Sequence, residues 1–142
     1  MTKANKPSGM TEAEYRFRCA AYKLEHEREP GADFLTRPMA ITAFAGHYGP
    51  AGYVLTVNGS PTRSLIVVAG HDRHNAAMYR LDHSGRAQVL SKGRSLEPTT
   101  GPKFELVAGV WALLQERGLI DDRGNFTTDY RAECVQENAT HG

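Results

Sequence analysis

The run from Gly52 to Lys92 holds a series of short β-branched segments, each closed by its own turn signal. Strands this short, joined by connections this tight, pair with their neighbours in order, so the run predicts an antiparallel meander. Its segments fall at 53–57, 64–69, 76–82 and 86–91. Between them stand Asn58-Gly59-Ser60-Pro61, Gly70-His71-Asp72-Arg73-His74-Asn75 and Asp82-His83-Ser84-Gly85. The second segment is almost continuously apolar, as in a central strand covered on both faces. The third alternates, with Ala76, Met78 and Arg80 on one side and Ala77, Tyr79 and Leu81 on the other. The covered face is expected to take Leu65 or Ile66, Val67, Tyr79, Leu81 and Val89, with Trp111 packed above it.

Helical signals flank the meander. Thr11 and Glu14 have capping-box spacing, which predicts that hydroxyl and carboxylate each satisfy the other residue's amide. Tyr15, Cys19, Tyr22 and His26 follow at helical spacing, and Pro30-Gly31 ends the segment, giving a helix over about 11–28. Residues 36–46 fit either a strand or a short helix opened by Thr36 and Pro38; the alanines favour the helix. A second long helix over 102–117 is apolar around most of its circumference and therefore central. Gly118 and Leu119 then have the pattern of a Schellman ending. Thr127 or Thr128 opens a last short helix to about Gln136.

At 142 residues the chain fits one domain. The expectation is a flexible tail over 1–10, a single domain over 11–138 and a frayed end over 139–142. Its fold class is α+β: a single antiparallel β-meander of about four strands, packed against a central C-terminal helix and an N-terminal helix. A helix so apolar requires a large sheet face or a second subunit, so a homodimer through an edge strand or a helix face is compatible with the pattern.

Several function classes lose their support in the composition. A formal net charge of +1 supplies no global field for nucleic acid or acidic substrates, so any electrostatic function must be local. The two cysteines, Cys19 and Cys134, lack CxxC spacing and sit in helical segments as small hydrophobes. The N-terminus has no apolar leader, and no apolar run is long enough to span a bilayer, so a cytoplasmic, membrane-free protein is expected. Phosphate-binding glycine loops and a G-x-S-x-G elbow are absent from the sequence, and no cofactor is expected.

What remains is the rim of the meander. His71-x-x-His74 resembles half a metal site, and His83 is the tempting third ligand. Turns of a meander alternate between the two ends of the sheet, and the strand between these two spans roughly 20 Å. One ion cannot bridge that distance. The same alternation gathers His47, Tyr48, His71, Asp72, Arg73, His74, Lys92 and Arg94 at one end. The other end takes Asn58, Ser60, Arg63, Asp82, His83 and Arg86.

The first rim has four chemical readings. His47, His71, His74 and Asp72 suit a zinc-like ion. A histidine oriented by Asp72, with an arginine for charge, suits acid–base work. Arginine and lysine suit an anionic surface. A solvated loop cluster with no ligand is the bland reading, and no metal is assigned. The pattern points to a small non-enzymatic binding protein that engages an acidic protein surface or nucleic acid through this Arg/His-rich rim. The alternative is an enzyme on an anionic or phosphorylated small molecule with a histidine acid/base.

Overall fold

A computed structural model of the chain describes residues 5–44, 51–57, 65–70, 72–82, 84–92 and 102–127, with Lys92 and Pro102 described by their backbone alone. Five strands form one antiparallel sheet in the order of the sequence: β1 (Met39–Phe44), β2 (Gly52–Val57), β3 (Leu65–Ala69), β4 (Ala77–Leu81) and β5 (Ala87–Lys92). Helices α1 (Glu12–His26), α2 (Ala32–Leu35) and α3 (Pro102–Glu116) complete the α+β fold. The meander and both long helices stand where the turn and capping signals place them.

The helix expected over 36–46 is instead the edge strand β1. Met39 pairs with Val57, Ile41 with Leu55 and Ala43 with Tyr53, so every second residue of β1 packs against the core. The free edge of β2 supplies the hydrogen bonds, and that tertiary opportunity outweighs the weak local preference of the alanines. A four-residue helix, α2, takes up the chain just before it and buries Phe34 and Leu35.

Ile66 and Trp111 are in the core as expected, but for Val67, Tyr79, Leu81 and Val89 the covered face is the opposite of the one expected. Tyr53, Leu55, Ile66, Val68 and Met78 are essentially fully buried in the main core, while Val89 is 44 % exposed and Leu65 38 %. Strand alternation then puts Val67, Tyr79 and Leu81 on the outer face. Two polar residues hide the true phase in the sequence. Arg80 and Gln88 lie opposite each other on the inner face. Arg80 donates to Gln88 Oε1 at 3.0 Å and forms an ion pair with Glu25 of α1. Paired in this way, a guanidinium can sit on a core face at moderate cost.

A β-bulge in the β4–β5 pairing lets both Leu90 and Ser91 be buried. The register carries lateral rows across the sheet. On the outer side one row runs Thr42, Val54, Val67, Tyr79, Val89 through all five strands.

Helices α1 and α3 cover the inner face side by side. Leu106, Val110, Leu113 and Leu114 of α3 are fully buried, and Phe17 and Ala20 meet them from α1. Gly109 sets the spacing: a Cβ there would lie 3.1 Å from the Phe17 Cα and 3.2 Å from its nitrogen. The start of α1 is half a capping box. The Thr11 hydroxyl accepts from the Glu14 amide, but it donates to Glu116, and the Glu14 carboxylate goes elsewhere. Glu14 accepts from buried Arg18 at 2.9 Å and from Arg117 at 2.8 Å, which ties α1 to the end of α3. The stronger charge-assisted partners displace the reciprocal cap. Helix α3 ends in the expected Schellman motif, with the Leu119 amide donating to the Leu114 carbonyl and the Gly118 amide to that of Gln115.

Candidate functional site

Phe44, Gly52, Ala69, Ala77 and Lys92 form one end row of the sheet, so the strand ends that bound the β1–β2 and β3–β4 connections and the end of β5 do share a rim. Of the eight candidate residues, His47, Tyr48, His71 and Arg94 lie outside the described residues. Asp72, Arg73 and His74 stand together on the β3–β4 connection, and Lys92 closes β5 directly opposite Ala77. His83, Cys134 and the last expected helix beyond Thr127 also lie outside the described residues.

Asp72 organises the connection. One carboxylate oxygen accepts from the His74 amide at 2.9 Å and the Asn75 amide at 3.0 Å, and both oxygens accept from the Asn75 side-chain amide. This is an Asx turn, the local solution that makes aspartate common in loops. The Asn75 side-chain bond, with help from the two amides, holds the Asp72 carboxyl below its usual range, and partial burial opposes this. Four bonds within its own turn occupy Asp72, and none of them orients an imidazole.

The turn is not free at the surface. Asp72 bridges Asn125, and the Arg73 amide donates to the Gly124 carbonyl at 2.7 Å. The 121–125 loop has an Asx turn of its own, with Asp121 Oδ1 accepting from the Arg123 and Asn125 amides at 2.9 Å each. Gly124 adopts φ +87°, and a Cβ there would lie 3.2 Å from the Arg73 Cβ and 3.4 Å from His74 Nε2. Only glycine combines that backbone with that proximity. The loop itself is anchored from below: the Tyr53 hydroxyl donates to the Leu119 carbonyl at 2.8 Å, and the Phe126 ring packs 5.1 Å from that of Tyr53.

Arg73 and His74 are thereby held between two hollows. One is a cavity of about 90 Å³ lined by Gln115, Asp121, Asp122 and Arg123. The other is an open cleft of about 340 Å³ with an apolar wall of Phe104, Val107, Ala108 and Trp111 and with Ser91 at its base. The Arg73 guanidinium carbon lies 5.7 Å from the centre of the buried Trp111 ring, within cation–π range. A cation resting on an indole at the lip of an apolar cleft can receive a carboxylate or phosphate while the cleft takes an adjoining apolar group.

Trp111, Phe104 and the 121–125 loop are the parts of this site that the sequence did not bring to the rim. Trp111 reads as core, and it is core; its ring face toward Arg73 depends on the contact of Arg73 with Gly124, two residues on different loops, for which the sequence carries no local signal. Among the described residues no group of three or more His, Cys, Asp or Glu side chains is arranged to hold a metal ion. No helix among them is long and apolar enough to cross a membrane.

Comparison with known proteins adds no further constraint on the site: no family model matches the chain, and no curated protein and no solved structure is significantly similar to it.

Proposed function

We propose that this protein is a small non-enzymatic binding protein whose Arg73–Trp111 cleft docks an acidic segment of a partner protein. The observation that carries the reading is the exposed Arg73 guanidinium stacked over Trp111 beside an apolar wall. A carboxylate bound to Arg73 and a neighbouring apolar side chain set against Phe104 and Val107 would use both features at once. Acidic protein is favoured over nucleic acid because the cleft sets a single arginine beside an apolar wall, which fits one carboxylate with a neighbouring apolar side chain. A phosphate backbone is bound instead by a track of several cations.

The enzymatic alternative, a histidine acid/base acting on an anionic small molecule, has less support. Its orienting carboxylate, Asp72, is committed to Asn75 and to backbone amides.

The test is fluorescence anisotropy of the full chain with two labelled probes, a short peptide of alternating Glu and Leu and a mixed-sequence oligonucleotide, across a salt series. Binding of the peptide that weakens as salt rises and is lost in Arg73→Glu supports the reading. Oligonucleotide binding without peptide binding would reassign the rim to nucleic acid, and binding of neither at low salt would remove it.

A further inference from the structure

We infer that the outer face of the sheet is a self-association surface, on which two copies of the chain pack sheet against sheet with their helices outward. All three described helices and the 119–127 loop lie on the inner side of the sheet, leaving the outer side without a cover among the described residues. That side is nevertheless built like an interior. The row Val54, Val67, Tyr79, Val89 crosses four strands, and Leu65 pairs with Leu81 beside it. The two large apolar side chains most exposed among the described residues, Leu65 and Val89, both belong to this face. Strand β3 is apolar on both of its sides. In a single-sided two-layer fold such a strand would alternate with polar residues, so its pattern calls for a second layer.

The charge and the area of the face point to a second copy as the occupant. The register places one charged residue on it among those described, Lys92 at an extreme end. A two-fold axis sets a patch against itself, so a face whose one described charge stands at an extreme end pairs with its own copy with little like-charge conflict. The same face gives an acidic partner or a nucleic acid no cluster of cations among the described residues. Five strands at about 4.8 Å and five to six residues at about 3.3 Å make a face of roughly 24 by 18 Å. With side-chain relief, two such faces remove on the order of 1,000–1,300 Å² from water, at the threshold of a specific interface. The contact would be a sandwich with sheets about 10 Å apart, and its affinity would be moderate. This surface lies on the sheet itself, apart from the edge strand and helix faces that the sequence suggested for a dimer, and apart from the Arg73 cleft.

Sedimentation velocity of the full chain from low micromolar to near-millimolar concentration tests it, with thermal unfolding at the same concentrations as a second reading. The expected result is a reversible monomer–dimer equilibrium and a Tm that rises with concentration. Val89→Glu and Leu65→Glu each place an unpaired charge within the apolar contact and should weaken dimerisation by at least about a hundredfold. Both side chains are exposed in the protomer, so the monomer's far-ultraviolet circular dichroism should not change. A chain that stays monomeric throughout overturns the proposal. So does a dimer that keeps its affinity in both variants, because another surface then holds it.

Discussion

Both faces of this sheet carry apolar side chains, and they differ in what covers them. On the inner face Tyr53, Leu55, Ile66, Val68 and Met78 are buried beneath α1 and α3, and half-buried Arg80 beside them reaches Glu25 and Gln88. On the outer face Val54, Val67, Tyr79 and Val89 form an uncharged row, half open to solvent. A row of apolar side chains thus lies on the face that the described helices leave uncovered. What distinguishes the inner face is its fit to the helices: a bulge that buries Leu90 and Ser91, and an ion pair that ties α1 to β4. Apolar character decides that a face needs a cover, while partner geometry decides which cover it receives.

The largest expected effect tests that distinction directly. Leu55→Ala or Met78→Ala empties space beneath the helices and should cost about 2–5 kcal/mol of unfolding free energy in urea titration. Val67→Ala on the outer face should cost under about 1 kcal/mol at a concentration low enough to keep the chain monomeric. Equal losses on both faces at such dilution would break the comparison, because the outer face would then be a second core within the protomer.

Next in size is Arg80. Replacing it with leucine takes from Glu25 its ion-pair partner at a site where both side chains are only 18 % exposed. The loss should be about 1–3 kcal/mol. Adding Glu25→Leu in the same chain should recover part of it, since the two residues act as a unit. Purely additive losses would mean that the ion pair does not hold α1 to the sheet. Tyr53→Phe comes third. It keeps the ring in the core and removes the hydroxyl donation to the Leu119 carbonyl, at a cost of about 1 kcal/mol. Its signature is faster amide exchange in residues 119–126 with the rest of the core unaltered.

The contrast between faces also explains what the sequence reveals of this fold and what it conceals. Strands β2 to β5 are readable because glycine, proline and asparagine bracket each one, and α3 because its apolar surface ends at Gly118-Leu119 in a Schellman pattern. Strand β1 is not readable. Met39–Phe44 has alternation on one side only, and its pairing depends on the open edge of β2. The phase of β4 misleads for a related reason: Arg80 marks its face as solvent-facing unless Glu25, fifty-five residues earlier, is known to lie above it. At the candidate site, alternation of turns correctly groups the strand ends, and Asp72, Arg73 and His74 fall together. The cleft against Trp111 depends on Gly124 meeting Arg73, a contact between distant loops with no periodic trace in either.

The smallest effect lies in the Asp72 turn, at the sheet end where the Arg73 cleft sits. The Asp72 carboxyl titrates below its ordinary value because its charged form accepts hydrogen bonds, that of the Asn75 side chain first. A carboxylate with a lowered folded-state pKa stabilises the fold above its unfolded-state value, and this contribution is lost as pH falls through the lowered value. Acid should therefore loosen the 72–76 connection only as pH falls through that lowered value. Asn75→Ala removes the largest cause, so the Asp72 midpoint should move upward toward the ordinary carboxylate range and the loosening should begin at higher pH. Carboxyl-carbon NMR titration of the two proteins reads this shift, with the His74 and Gly124 amides as local reporters. An unmoved midpoint would show that the backbone amides alone hold the charge. Arg73 would then keep its position over Trp111 through the Gly124 carbonyl and the ring, with no help from the turn that precedes it.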